Sequence, residues 1–410
     1  MHRYSENVIE VTIIKKSDIR VFFAGLLPLF VLAHFGHHVV GASLRPLLPM
    51  IRNDLNLSYT QAGFVLSAFS VTSGISQLPA GWLADRFGVR MAVLIGISCV
   101  AVAGLMIGLS HSYVALIAFL VLAAILGGGY HPAASAAVSA SVSPENRGKA
   151  LGIHLIGGSS AFWVVPLLAA PIAVAWEWRS SFVVLSIPAM ILGIALYILI
   201  GRRTQVQRAE PQNDNNGLPA LPARIQWRKL APFLLMSVAT GTMVQSVSGY
   251  LSLFAVDYLG VTDATAARLI AVTPLVGLFA APMGGYLSDR FGSVPVLMVV
   301  SCLAAPLIYL IGVVPNVAML VVVMVAIGLV SNTRMPTSES YIFGNIPAHR
   351  RATILGFYFF AGAEAAGLLT PVVGYLIDEI EFYNTTSIIS GSLAVIVVAC
   401  SIFMLKNRGK

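Results

Sequence analysis

Charge is what this sequence has least of. Only 10% of its 410 residues are Asp, Glu, Lys or Arg, against about 25% in an average soluble domain, so a water-covered globular surface is excluded. Cysteine is scarce as well. Cys99, Cys302 and Cys400 each fall in a separate apolar run, which excludes a disulfide framework, a redox pair and a thiolate metal cluster. No phosphate-cradling loop is present, because Gly148-Lys149 is followed by Ala150 and lacks the upstream glycine. There is no His-Glu-x-x-His motif either. ATP-driven pumping and hydrolysis are therefore not expected, and neither a catalytic residue nor a cofactor is assigned.

What is abundant is apolar: 57% of the residues are hydrophobic and the mean hydropathy is +0.85. A spanning helix needs about 20 mostly apolar residues. Twelve such runs lie near 21–49, 60–83, 90–109, 113–139, 148–174, 180–200, 230–256, 265–287, 293–312, 316–343, 350–376 and 386–405. The expected fold class is all-α integral membrane, with twelve transmembrane helices. Residues 1–20 mix acids and bases and read as a cytoplasmic tail. The long hydrophilic stretch at 201–229 divides a bundle at 21–200 from one at 230–405.

The net charge of +8 has a topological cause. Of 25 Lys and Arg residues, the tail, the linker and the loops on their side of the membrane hold twenty, and the opposite loops hold only Arg52, Arg179 and Arg268. Basic residues accumulate on the cytoplasmic side, so both termini are expected there, in the inner membrane, and no nucleic-acid partner is needed. The two arginines left over, Arg45 and Arg334, fall inside spans.

An internal repeat organises the chain. "GWLADRFG" from Gly81 to Gly88 returns as "GYLSDRFG" from Gly285 to Gly292, and the same offset of 204 carries Pro132 onto Pro336, Arg147 onto Arg351 and Gly152 onto Gly356. These residues resemble the major facilitator superfamily over essentially the whole chain. Its signature between helices 2 and 3 is matched by Gly81, Leu83, Ala84, Asp85, Arg86, Gly88 and Arg90, with Val89 departing; the second copy keeps Gly285, Leu287, Asp289, Arg290 and Gly292. Gly81 permits close helix approach, and Asp85 suits a neighbouring helix N-terminus. Gly81, Asp85, Arg86, Gly88, Arg90, Asp289 and Arg290 are thus expected to form a gating latch. A tight turn with topology-setting charges is the alternative. Arg147, Arg350 and Arg351 read as orientation anchors.

Polar residues inside spans are functional candidates. The first span carries His34, His38, Gly41 and Arg45 as one helical stripe, with His37 beside it. The fourth carries Tyr130 and His131 before Pro132, and the fifth His154. The seventh offers Thr242, Gln245 and Ser246; the tenth offers Asn332, Arg334, Ser338, Glu339 and Tyr341; and the eleventh carries Glu364. In repeat-built transporters the solute sits near the midplane at the repeat interface. The resemblance implies a cavity lined by helices 1, 4, 7 and 10, where these residues concentrate.

Two buried guanidiniums without adjacent acids suit an anion. Arg334, Arg45, His131, Tyr130, Gln245, Asn332 and Tyr341 are the expected substrate-binding residues. Alternatives are an ion pair of Arg334 with Glu339 or Glu364 and a snorkelling Arg45. Proton coupling is expected from His34, His38, Glu364 and Glu339. His34 and His38 stand one turn apart, as in helical zinc sites, but no acid or thiol accompanies them on that helix, and no metal is assigned. Imidazoles bonded to backbone carbonyls are the plainer reading, above all for His37 and His154.

A narrower resemblance, to the fosmidomycin-resistance type of exporter, rests on His131-Pro132 and Gly157-Gly158. The antiporter pattern of helix 5 has Gly-Pro before paired glycines, whereas here Pro166 follows Val165, which keeps uptake open. The expected function is proton-coupled secondary transport of a small anionic organic solute by a monomer in the lipid bilayer. Drug or phosphonate-antibiotic efflux, transition-metal carriage through the helix 1 histidines, and a non-transporting receptor or scaffold are the alternatives.

Overall fold

A computed structural model describes residues 25–142, 147–206, 227–346 and 351–406. Its helices are α1 (Leu27–Leu55), α2 (Tyr59–Phe87), α3 (Val89–Gly108), α4 (Tyr113–Ala140), α5 (Arg147–Ala175), α6 (Trp178–Val206), α7 (Trp227–Asp257), α8 (Asp263–Phe291), α9 (Ser293–Ile311), α10 (Val317–Asn345) and α11 (Arg351–Lys406). Among the described residues ten of these are long and apolar enough to cross a membrane, and α2 matches them with 29 residues. The tail at 1–20 and most of the 201–229 linker lie outside the described residues.

The helices turn apolar residues outward. On α6, Ile187, Ile191, Ile194 and Ile198 recur at helical spacing and are all exposed, whereas Ser181 and Ser186 are buried. That inversion of the soluble pattern suits hydrocarbon as the solvent. Proline inside a helix leaves a carbonyl without its amide partner and costs about 3 kcal/mol in water. In a bundle, neighbouring helices re-satisfy the freed carbonyls, which accounts for Pro46 and Pro49 in α1 and Pro166 and Pro171 in α5.

Helix bounds repeat at the sequence offset. Tyr59–Phe87 is followed 204 residues later by Asp263–Phe291, Arg147 opens α5 as Arg351 opens α11, and Tyr113 and Val317 open α4 and α10. Packing repeats too. α1 lies along α5 as α7 lies along α11, and α2 along α4 as α8 along α10. α11 is two helices that meet at a kink at Glu381, with φ of 65° and ψ of 167°, inside the polar stretch at 377–385 that was expected to separate the last two spans.

The first six helices meet the rest along α2 with α11 and α5 with α8. Their bonds gather toward one end. Asp257 is shared there by Arg52 and the Tyr59 hydroxyl. Asp378 accepts from the amides of Tyr59 and Thr60 at 2.9 and 2.8 Å and from the Thr60 hydroxyl at 2.6 Å. Deeper in, Tyr250 donates to the Thr370 carbonyl at 2.7 Å and Ser67 to that of Gly367 at 2.6 Å. At the opposite end, Arg90 lies over the Tyr197 ring and Arg290 donates to Tyr286, each within its own group of helices. Phe87 and Phe291 are exposed there. Among the described residues, the side-chain bonds between the two groups of helices gather at the Arg52 end.

Candidate functional site

Two polar clusters stand apart in the helices. The first is built from α1, α4 and α5. α4 breaks at Gly128 and Gly129 and restarts at Tyr130, which puts His131 and Pro132 in a first turn, where a missing amide costs little. Gly157 and Gly158 let α5 approach α1. A Cβ on Gly157 would stand 2.9 Å from the Val31 carbonyl carbon, and one on Gly158 2.5 Å from His34 Nε2.

Five imidazoles meet there. His34 is buried; its Nδ1 donates to the His154 carbonyl at 2.9 Å and its Nε2 lies 3.2 Å from His38 Nε2. The His131 ring centroid is 5.2 Å from both His34 and His38. The ligand nitrogens of these three lie within 4.8 Å of one another. His131 of α4 thus joins the pair on α1, and among the described residues the group contains no acid or thiol. His37 donates to the Gly96 carbonyl at 2.8 Å, inside a π-helical turn (Leu94–Cys99) of α3, and His154 donates to Phe30 at 3.1 Å. Both therefore match the carbonyl-bonded reading. Among the described residues, none of the five forms an ion pair.

Tyr130 is fully buried, with its ring stacked on His37 at 4.4 Å and its hydroxyl 3.4 Å from the Phe30 carbonyl, so in this conformer it packs the cluster.

The second cluster joins α7, α10 and α11 around Arg334. Its Nη1 donates to the Tyr358 hydroxyl at 2.6 Å and to the Ser237 hydroxyl and carbonyl at 3.0 and 3.1 Å, while its Nε is buried without a partner. Ser338 and Tyr358 in turn lie 2.6 and 2.8 Å from the Ser237 hydroxyl. Among the described residues no acid pairs with Arg334, neither Glu339 nor Glu364. Nη1 carries two hydrogens, shared among its three oxygen partners, and hydrogen bonds from a charged group contribute about 1.5–3 kcal/mol each, which offsets part of the cost of partly burying the ion. The guanidinium is held by neutral oxygens, and its charge is not cancelled.

Other candidates scatter. Arg45 is half-buried with no ion pair, and only its carbonyl is engaged, by Ser252 at 3.0 Å. Asn332 bonds back to Gly328 on its own helix at 2.8 Å, Tyr341 stacks on Phe233 at 3.8 Å, and Gln245 is exposed. Glu339 is half-buried. Glu364 is also half-buried, with a buried Oε1 that has no partner, and faces Gly74 of α2 across the seam between the two groups of helices. Of the latch residues, Gly88 and Gly292 both take positive φ, at 80° and 86°. Arg90 and Arg290 are bonded as described above, Asp289 is exposed, and Arg86 is engaged. The side-chain surroundings of Gly81, Asp85, Arg147 and Arg351, and Arg350 altogether, lie outside the described residues. Cys99, Cys302 and Cys400 are free.

Ser237 and Tyr358 were not singled out in the sequence, although a signal existed. The 204 offset carries Tyr130 onto Arg334 and His154 onto Tyr358, so both clusters occupy the same repeat positions.

The family model described as Major Facilitator Superfamily matches residues 30–371. The chain belongs to the major facilitator superfamily. A probable sulfoacetate transporter, SauU, of Cupriavidus necator is 25% identical over 92% of this chain and 93% of its own. The multidrug resistance protein MdtG of Dickeya zeae is 23% identical over 85% of each. Among solved structures, a bacterial homolog of the human lysosomal transporter Spinster, in an inward-facing and occupied conformation, shares the fold with a TM-score of 0.74 at 16% identity, over 93% of this chain and 96% of that one. This superfamily member is a multi-pass, lipid-embedded secondary transporter of a small solute, not an enzyme. Its relatives include both solute carriers and drug exporters, which supports the superfamily and not the fosmidomycin-resistance type in particular.

Proposed function

We propose that the protein moves a small organic anion across the cytoplasmic membrane by alternating access, coupled to protons. The observation that carries this reading is Arg334, held by Ser237 and Tyr358 with no carboxylate beside it. A planar cation held by neutral groups suits a carboxylate, sulfonate or phosphonate. Similarity to the sulfoacetate carrier supports the same class.

In this reading twelve spans form two six-helix repeats, 21–200 and 230–405, joined by 201–229. The break at Glu381 stands 204 residues after Glu177, where α5 gives way to α6, and so divides the last two spans. The Lys and Arg count supports cytoplasmic termini, which turns the Arg52 end outward. His34, His38, Glu364 and Glu339 are the proton sites. Glu364, at the seam of α2 and α11, is the one whose surroundings change when the bundles part. The signature loops form the inner gate.

A second reading, efflux of drugs or phosphonate antibiotics by proton antiport, is favoured by similarity to MdtG along most of the chain. Proteoliposomes with an imposed pH gradient, tested on sulfonates, carboxylates, phosphonates and cationic drugs, separate the two. The anion reading expects flux of at least one anion, abolished in Arg334→Gln at equal reconstitution. Flux of cationic drugs alone, unchanged in that variant, transfers the function to the second reading.

A further inference from the structure

We propose that His34, His38 and His131 bind one first-row transition-metal ion of the Zn2+ class, as three neutral imidazole ligands with a fourth position left open. The geometry is close to what such an ion needs. Tetrahedral zinc with bonds to nitrogen of about 2.0–2.1 Å sets neighbouring ligand nitrogens roughly 3.3 Å apart, and His34 Nε2 and His38 Nε2 are 3.2 Å apart. The ligand atom of His131 lies within 4.8 Å of both, so a small ring rotation closes the triangle. His38 and His131 are only half-buried, which leaves the ligand set reachable, while His34 is buried behind them.

The outer contacts orient the ligands. His34 Nδ1 must carry its proton to donate to the His154 carbonyl, so Nε2 presents its lone pair to the ion. A metal-bound histidine characteristically donates its other ring proton to a carbonyl in this way. In the metal-free cluster His38 supplies the hydrogen between the two Nε2 atoms; on binding, that proton moves to its Nδ1 and no net charge is lost. Gly158 leaves room for the His34 ring. Imidazole suits zinc, copper, nickel and cobalt rather than magnesium or calcium, which prefer oxygen. Three neutral ligands leave the ion's double charge uncompensated, so the fitting fourth ligand is an anionic oxygen. This site lies on α1 and α4, apart from Arg334 on α10, but it shares His34 and His38 with the proposed proton route; with an ion bound, proton coupling falls to Glu364 and Glu339.

Co2+ alone, titrated into tag-free, chelator-stripped full-length protein in nanodiscs, tests the site. One equivalent should give the intense visible absorption of low-coordinate cobalt, displaced by Zn2+, and X-ray absorption should count three imidazoles. His38→Gln and His131→Gln should each weaken binding tenfold or more, whereas the exposed His111→Gln should not. Absence of that absorption, a count of two imidazoles or fewer, or undiminished binding in the double variant overturns the proposal. If the variants aggregate, the imidazole count on the unaltered protein decides. Anion flux plays no part in these readouts, so this proposal and the transport reading fail separately.

Discussion

Arg334 keeps its place partly because of what is missing opposite it. A Cβ on Gly241 would stand 2.7 Å from the Cζ and Nη2 of that guanidinium, closer than real contacts allow. Overpacking costs about 1–3 kcal/mol, and about 1.4 kcal/mol is tenfold in affinity. Gly241→Ala should therefore push the guanidinium off Ser237 and Tyr358 and raise the KM for uptake about tenfold. Gly391→Ala, where a Cβ meets nothing, should leave uptake kinetics unchanged. At this scale the sequence was partly legible. A charged residue in an apolar run announces itself, so Arg334 and the histidines stood out. Their hydroxyl and carbonyl partners did not, because Ser237 and Tyr358 look like ordinary residues of a span and lie 97 and 24 positions from Arg334.

Among the elements, the turns that carry the duplicated signature are the most constrained. Gly88 takes φ of 80° with ψ of 161°, and Gly292 takes 86° with 146°, a region open essentially to glycine and costing about 1–3 kcal/mol for other residues. Gly88→Ala and Gly292→Ala should each lower the unfolding temperature in detergent, and the double variant should show nearly the sum, because distant sites add. A pair of silent substitutions would remove backbone conformation as the reason for glycine at both places. The hydropathy runs anticipated helix existence and order well. The polar stretch at 377–385 does hold the break, at Glu381, but hydropathy did not show how tight it is. Asn384, Thr385 and Ser387 each bond to the carbonyl four residues earlier, at 2.8 Å, and polar side chains that fold back on their own backbone let a helix begin inside a polar run.

For the molecule as a whole, the repeat was readable from one offset, but the conformer was not, since the seal joins residues 205 and 318 apart in sequence. Asp257 and Asp378, both in the second group of helices, hold that end by accepting charge-assisted bonds from Arg52, Tyr59 and Thr60 of the first. Asp257→Asn with Asp378→Asn should shift the balance toward opening there. In a cysteine-free background carrying Ser67→Cys, buried at the seam, labelling by a membrane-impermeant thiol reagent applied to that side should speed up severalfold; an unchanged rate would mean that apolar packing of α2 on α11 keeps the end closed. The uncompensated guanidiniums have an electrical consequence at the same scale. A carrier that passes Arg45 and Arg334 from one aqueous side to the other moves charge through the membrane potential, worth about 2.3 kcal/mol per elementary charge for each 100 mV. In the proposed anion cycle an interior-negative voltage would then hold the unloaded protein facing the cytoplasm, and an anion that neutralises the arginines would release it, so voltage itself would act as a brake on empty cycling.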